Sequence, residues 1–309
     1  MSDLSLGGKV RTLSAEELEV GFAATAATGK AASSPDAPDI DVTDQDAREV
    51  IDLLTRYSGV LLTGPPGTSK TYLAHAVAAI LSEGDNKRRA FAQFHPSYQY
   101  EDFIEGYRPK EGGGFERRLG VFLQLCDDAL RDPGHAYVIV IDELSRADAA
   151  RVFGEALTYI ERSKRGMTFQ LPSGNEGRVP PNVMVIATMN PLDRGVDEVD
   201  AAFERRFAKK TMPPSAELLD SRLIENGVPD DLRHALLGWF RDINGQNPAA
   251  QIGHAYFWDV TDDKSLEEVW TYQVQYHVER AFRFEEQTRE RLRDKWAAMF
   301  AFGSNDDDE

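Results

Sequence analysis

From Asp44 onward the chain alternates between two hydrophobic rhythms. In REVIDLLTRY (48–57) apolar residues return at helical spacing, and GVLLTG (59–64) then reads as a short buried strand. A Gly/Pro-rich loop follows, and the spacing predicts a helix from about Lys70 to Leu81. Apolar runs recur at FAQFH (91–95), YVIVID (137–142) and VMVIAT (183–188), with helical stretches between them and a further strand-like FAKKT at 207–211. Continuous apolar strands separated by helices predict an α/β fold, a parallel sheet flanked by helices on both faces. After Met212-Pro213-Pro214 the strand rhythm stops. Helical periodicity then continues to Phe300, broken by a polar loop around 244–264, which predicts a smaller all-helical lid domain. Residues 1–45 are rich in Ala, Ser, Thr, Gly and Asp, with one short helix capped at Ser14, and read as a flexible arm. The expected division is therefore arm 1–45, α/β domain 46–212, helical lid 213–302 and acidic tail 303–309.

Composition narrows the function classes. Lys and Arg number 35 against 52 Asp and Glu, a formal charge of −17, which suits a chain that is not a general binder of duplex phosphates. Gly (24) and Pro (15) are at ordinary frequency, so the chain is neither collagenous nor wholly disordered. The single Cys126 excludes an internal disulfide framework or a Cys-rich zinc site and fits a reducing compartment. No apolar run approaches the roughly 20 residues of a membrane span, and MSDLSLGGKVRT lacks the apolar centre of a signal peptide. A cytoplasmic location without membrane contact is expected.

The chemistry sits at the strand ends. Gly64-Pro65-Pro66-Gly67-Thr68-Ser69-Lys70-Thr71 follows the first strand and opens a helix, and it departs from G-x-x-x-x-G-K-[ST] at one place, Ser69 in the position of the second glycine. In such a loop backbone N–H groups bind phosphates, Lys70 reaches the outer phosphates and Thr71 ligates magnesium, with Tyr72 adjoining. Ser69 fits if its backbone stays right-handed. Val138–Glu143 is an apolar strand ending in two carboxylates, which suits Asp142 to magnesium and Glu143 to general-base activation of water. Asn190, at the tip of the third strand, can hydrogen-bond a γ-phosphate and the attacking water. Arg205 and Arg206 close a helix-like segment and suit a neighbouring subunit's γ-phosphate, the alternative being a solvated helix end or an ion pair.

This ordered set resembles an AAA+ P-loop module over about residues 45–300. FHPSYQYEDFIEGYRP (94–109), DELSRAD (142–148) and QIGHAYF (251–257) make it similar to the McrB-like, dynein-related branch, whose best-known members drive modification-dependent restriction of DNA. The resemblance implies a hexameric ring hydrolysing a nucleoside triphosphate with Mg2+, and a separately encoded effector such as an McrC-like nuclease in restriction or phage defence. It also implies Arg146 and Arg194 as further candidates near the subunit boundary. Met189-Asn190-Pro191-Leu192-Asp193-Arg194-Gly195 departs from the Met-Asn-Thr-Ala-Asp-Arg-Ser of GTP-using members, so ATP is favoured over GTP. The expected chain is a motor without the DNA-reading domain that usually precedes it, so DNA contact runs through partners, although Lys87-Arg88-Arg89 and Arg162–Arg165 could face DNA. His254 could reach the nucleotide from the lid or cap a helix. The aromatics of 94–107 could plug the sheet edge, with the Gly-rich stretch Pro109–Phe115 as a partner contact. A MoxR-like chaperone ATPase and a nucleotide-gated scaffold with little turnover are the alternatives.

Overall fold

The computed structural model describes residues 44–191, 203 and 205–300. Most of the N-terminal arm, Arg194 and the acidic tail lie outside them. The chain divides into two units, one built from the residues up to Thr63 plus Lys70–Thr211, the other from Gly64–Ser69 plus the chain from Met212 onward.

In the first unit α1 (Asp44–Arg56) buries Val50 and Leu54. Next come β1 (Gly59–Thr63), α2 (Lys70–Leu81) and β2 (Arg89–Gln93). The chain continues through α3 (Tyr100–Phe103), the strands β3 (Glu105–Pro109) and β4 (Phe115–Leu119), α4 (Val121–Arg131) and β5 (Tyr137–Asp142). Two short helices, α5 (Ala149–Phe153) and α6 (Ala156–Tyr159), lead to β6 (Thr168–Gln170), β7 (Glu176–Arg178), β8 (Val183–Met189) and β9 (Phe207–Thr211). Five strands form one sheet in the order β2-β5-β8-β1-β9, and every pairing is parallel. All five residues of β1 and the first five of β5 are buried, as strands covered on both faces must be.

The α/β expectation and the parallel sheet are borne out. Strand edges shift by a residue at the ends of β1 and β8 and by two at both ends of β2, which runs Arg89–Gln93 rather than 91–95, because Arg89 and Ala90 pair with Val138 and Ile139 although only the later residues carry the apolar signal. The antiparallel hairpins β3–β4 and β6–β7 are additions to the sequence reading. Their strands are short and largely polar, so neither rhythm marks them. The turn between β3 and β4 carries Gly112, Gly113 and Gly114, all at positive φ.

Phe94 and Phe103 are buried and meet edge to face at 5.7 Å, and Phe103 packs on Phe122 at 5.0 Å and Phe153 at 4.7 Å. Tyr98 stacks on Phe94, while Tyr107 is exposed. The front of the 94–107 segment is thus core. Cys126 is fully buried beside it, and burial pushes its thiol well above the usual range, so it is a small apolar filler.

The second unit is helical, with no strand among its described residues. It contains α7 (Ala216–Glu225), α8 (Asp230–Asn244), α9 (Asp263–Val269), α10 (Gln275–Ala281) and α11 (Glu286–Ala297). Trp239, Phe240, Phe257, Phe282 and Leu292 fill its core, and the Trp239 indole N–H donates to the Leu292 carbonyl at 2.9 Å, so this fully buried ring keeps its polar atom paired.

Candidate functional site

Because β1, β5 and β8 are parallel, their carboxyl ends lie along one sheet edge, where open α/β sheets bind ligands. Thr71 opens α2 and donates its hydroxyl to Asp142 Oδ1 at 2.7 Å. Thr188, on β8, donates to the same oxygen at 2.5 Å and accepts from the Glu143 backbone N–H at 3.2 Å. Sequence reasoning missed Thr188, which is 2% exposed. The signal was available: a hydroxyl inside an otherwise apolar strand needs a partner, and the pairing of Ile141 with Ala187 puts Thr188 beside the end of β5.

Glu143 follows at φ 56, a left-handed residue that turns the chain sharply off the strand. Its carboxylate faces the Arg146 guanidinium at 3.4 Å, so Arg146 stands beside this subunit's own candidate base. Both side chains are over a third exposed, and such a pair is worth about 0–1 kcal/mol, little enough to open for a substrate. Asn190 lies one residue past β8 and is half-buried. His75, one helical turn beyond Thr71, is held neutral: burial lowers its pKa to about 4 although the Asp142 charge opposes the shift.

The donors gathered here, a threonine hydroxyl and a carboxylate, are hard oxygens of the kind magnesium takes. Among the described residues no group of three or more His, Cys, Asp or Glu could hold an ion. A cation here would therefore complete its shell with water and phosphate oxygens, as magnesium prefers.

Gly64–Ser69 packs within the second unit. The Gly253 N–H donates to the Pro66 carbonyl and the Ala255 N–H to the Gly67 carbonyl, both at 3.0 Å. A Cβ on Gly253 would lie 1.9 Å from the Gly67 carbonyl oxygen, so only glycine permits this approach. Thr68, buried, donates to the Pro65 carbonyl at 2.9 Å. Ser69 corrects the sequence expectation. Its φ is 61, left-handed rather than right-handed, a conformation that costs an L-residue about 1–2 kcal/mol. Its hydroxyl lies 3.2 Å from His254 Nε2. The other ring nitrogen, Nδ1, accepts from the Ser215 backbone N–H at 3.3 Å. His254 is 2% exposed, and burial lowers its pKa to about 4, so the ring is neutral at neutral pH. Both nitrogens are committed within the protein, and Ser215, not His254, caps a helix: its hydroxyl accepts from Leu218 N–H at the start of α7.

In sequence Arg205 and Arg206 fall between Phe203 and Phe207, whose buried rings stack on one another at 4.4 Å. The two arginines part company there: Arg205 is exposed, while Arg206 is 9% exposed and lies 3.9 Å from Glu161. They line a cavity of about 620 Å3 with Arg56, Tyr57, Ser58 and Glu161–Lys164. Around Glu161 the Ser163 hydroxyl, then Lys164 and the two arginines, hold the carboxyl below its usual range. The basic clusters are largely occupied. Arg88 pairs with Glu83 and Asp85, and Arg165 donates to the carbonyls of Ser58, Ile160 and Val183, with burial lowering its pKa to about 10.

Residues 59–207 match the sequence profile of the AAA domain, dynein-related subfamily. The chain is 35% identical over 225 residues to the EcoKMcrB subunit of the type IV methyl-directed restriction enzyme of Escherichia coli (strain K12), covering 67% of this chain and 49% of that protein. It is 30% identical over 191 residues to component YdiS of the type II restriction enzyme BsuMI of Bacillus subtilis (strain 168), covering 48% and 55%. It is 29% identical over 162 residues to a pachytene checkpoint protein 2 homolog of Danio rerio, covering 52% and 36%. The chain spans about half the length of the two restriction-enzyme relatives.

Proposed function

Since the chain belongs to the dynein-related AAA family in its McrB-like branch, we propose that it is a magnesium-dependent nucleoside triphosphatase, with ATP favoured over GTP. The observation that carries this reading is the Thr71–Asp142–Thr188 network, which ties the helix behind the phosphate loop to the ends of β5 and β8. In this reading the N–H groups of residues 64–69 and the start of α2 bind the β- and γ-phosphates, and Lys70 sets its ammonium against their charge. Thr71 and Asp142 would hold magnesium, which would supply positive charge against that developing on the phosphate oxygens. Thr188 fixes the Asp142 carboxylate and, through the Glu143 N–H, the turn that presents Glu143. Glu143 takes the proton of the attacking water, and Asn190 orients that water against the γ-phosphate. Arg205 completes the site of a neighbouring subunit in a homo-oligomeric, hexameric ring.

The ring would transmit hydrolysis to a separately encoded effector. The two relatives are named as a subunit and a component of restriction enzymes, which supports a separate restriction effector; in this reading that effector is an McrC-like nuclease acting in restriction or phage defence, and DNA is reached through it. A nucleotide-gated scaffold with slow intrinsic turnover is the second reading, favoured by the Arg146 guanidinium already paired with Glu143.

The test is phosphate release and nucleotide affinity with ATP and with GTP. Lys70→Ala should lose more than tenfold in affinity, above 1.4 kcal/mol. Glu143→Gln should keep affinity and lose turnover about 100-fold, within the usual contribution of a positioned base. Parent-level turnover in either variant overturns the assignment.

A further inference from the structure

The reading that Gly64–Thr71 binds a triphosphate leaves one anomaly unexplained: a left-handed serine at the place where the loop pattern has glycine. Glycine adopts that conformation without cost, whereas serine needs the surrounding structure to hold it there. Ser69 gains in return a hydroxyl, and that hydroxyl meets His254 Nε2 at 3.2 Å.

The protonation pattern of the ring follows from its second contact. A backbone N–H can only donate, so the Ser215 N–H makes Nδ1 an acceptor. A neutral imidazole then carries its hydrogen on Nε2, and Nε2–H donates to Ser69 Oγ. The ring is also fixed in place: its residue is buried, with Gly253 N–H and Ala255 N–H on either side bonded to the Pro66 and Gly67 carbonyls. Three consecutive residues, 253 to 255, thus bond to three positions of the loop, 66, 67 and 69.

We propose that His254 is a positioning residue for triphosphate binding, holding Ser69 in its left-handed turn through an Nε2–H···Oγ bond so that the loop N–H groups converge on the phosphates. His254 touches no phosphate in this arrangement; it acts through Ser69. Serine at position 69 and histidine at position 254 form one device, in which the serine depends on the histidine.

A double-mutant cycle on the full chain tests this, with ATP and magnesium as the probe and affinity read by titration calorimetry. With Ser69 present, His254→Ala should weaken ATP binding about tenfold, or 1.4 kcal/mol. In the Ser69→Gly background the same His254→Ala change should alter affinity less than twofold, because glycine holds the turn unaided. A thermal melt run on all four proteins separates folding from positioning: His254→Ala should lower the melting temperature in both backgrounds, whereas only the affinity effect should vanish with glycine. An equal loss of affinity in both backgrounds overturns the proposal. Affinity unchanged by His254→Ala alone overturns it as well. Binding that also survives Lys70→Ala would instead overturn the phosphate-loop reading on which the inference rests.

Discussion

At the scale of single residues, Arg205 and Arg206 are adjacent in sequence and opposite in circumstance. The stacked Phe203 and Phe207 anchor the segment at both ends, leaving Arg205 in solvent and Arg206 against Glu161. Arg205→Ala should therefore keep parent stability and lose hydrolysis. Arg206→Ala should unfold at lower denaturant, by about 1–3 kcal/mol, because a buried side chain that faces Glu161 is removed. Phosphate release and urea melts separate the two. Mixing Arg205→Ala with Lys70→Ala should restore part of the activity, since some interfaces then carry an intact loop and an intact arginine. Mixtures that assemble and remain inactive would confine Arg205 to its own subunit. The sequence made the residues with strong chemistry legible: Lys70, Thr71, Asp142, Glu143 and Asn190 stand at strand ends and follow a spacing. Thr188 escaped because its role depends on register with β5, and register is a property of two strands together. The conformation of Ser69 escaped because its compensating partner lies 185 residues away.

Among elements, the three inner strands β5, β8 and β1 could be read because burial on both faces makes them almost wholly apolar. The two hairpins could not: β3, β4, β6 and β7 leave most of their residues partly or fully exposed, and the polar ladder of their backbones leaves no trace in side-chain hydrophobicity. Glycine positions show the same divide. Gly253 has φ −77, open to any residue, so the sequence gives no reason for glycine there; the reason is the Gly67 carbonyl in the space a Cβ would fill. Gly253→Ala should therefore cost stability and ATP affinity together, more than about 2 kcal/mol of the former by forced displacement in a packed region. Gly238, in the middle of α8 with open space around it, gives the contrasting case. Gly238→Ala should raise stability by roughly 0.5–1 kcal/mol and leave affinity alone. Chemical denaturation of the two variants checks both signs.

For the whole molecule, the buried histidines set the response to acid. His75 and His254 are held to pKa values of about 4, and burial lowers His277 as well, against an ordinary value of 6.5 in the unfolded chain. Between pH 6.5 and 4 the unfolded chain binds protons that the folded rings refuse, so stability falls as pH falls through that window. By linkage, His75 and His254 each subtract about 2 kcal/mol at pH 5 relative to pH 8. Below that window Glu105 and Asp242, whose carboxyls are held low by hydrogen bonds from Arg117 and Arg291, add to the loss. Urea midpoints that do not fall between pH 8 and pH 5 would contradict the neutral state of these rings. The division of the chain carries one more consequence, which concerns how such a protein can be recombined. The backbone passes from one unit to the other three times, after Thr63, after Ser69 and after Thr211. A crossover at Met212 alone would therefore deliver a foreign helical unit to the resident loop 64–69. If the donor came from a lineage with glycine at position 69, its counterpart of His254 would never have been selected to meet a serine. The helical unit and the six-residue loop must be inherited as one cassette, although some 140 residues of chain lie between them.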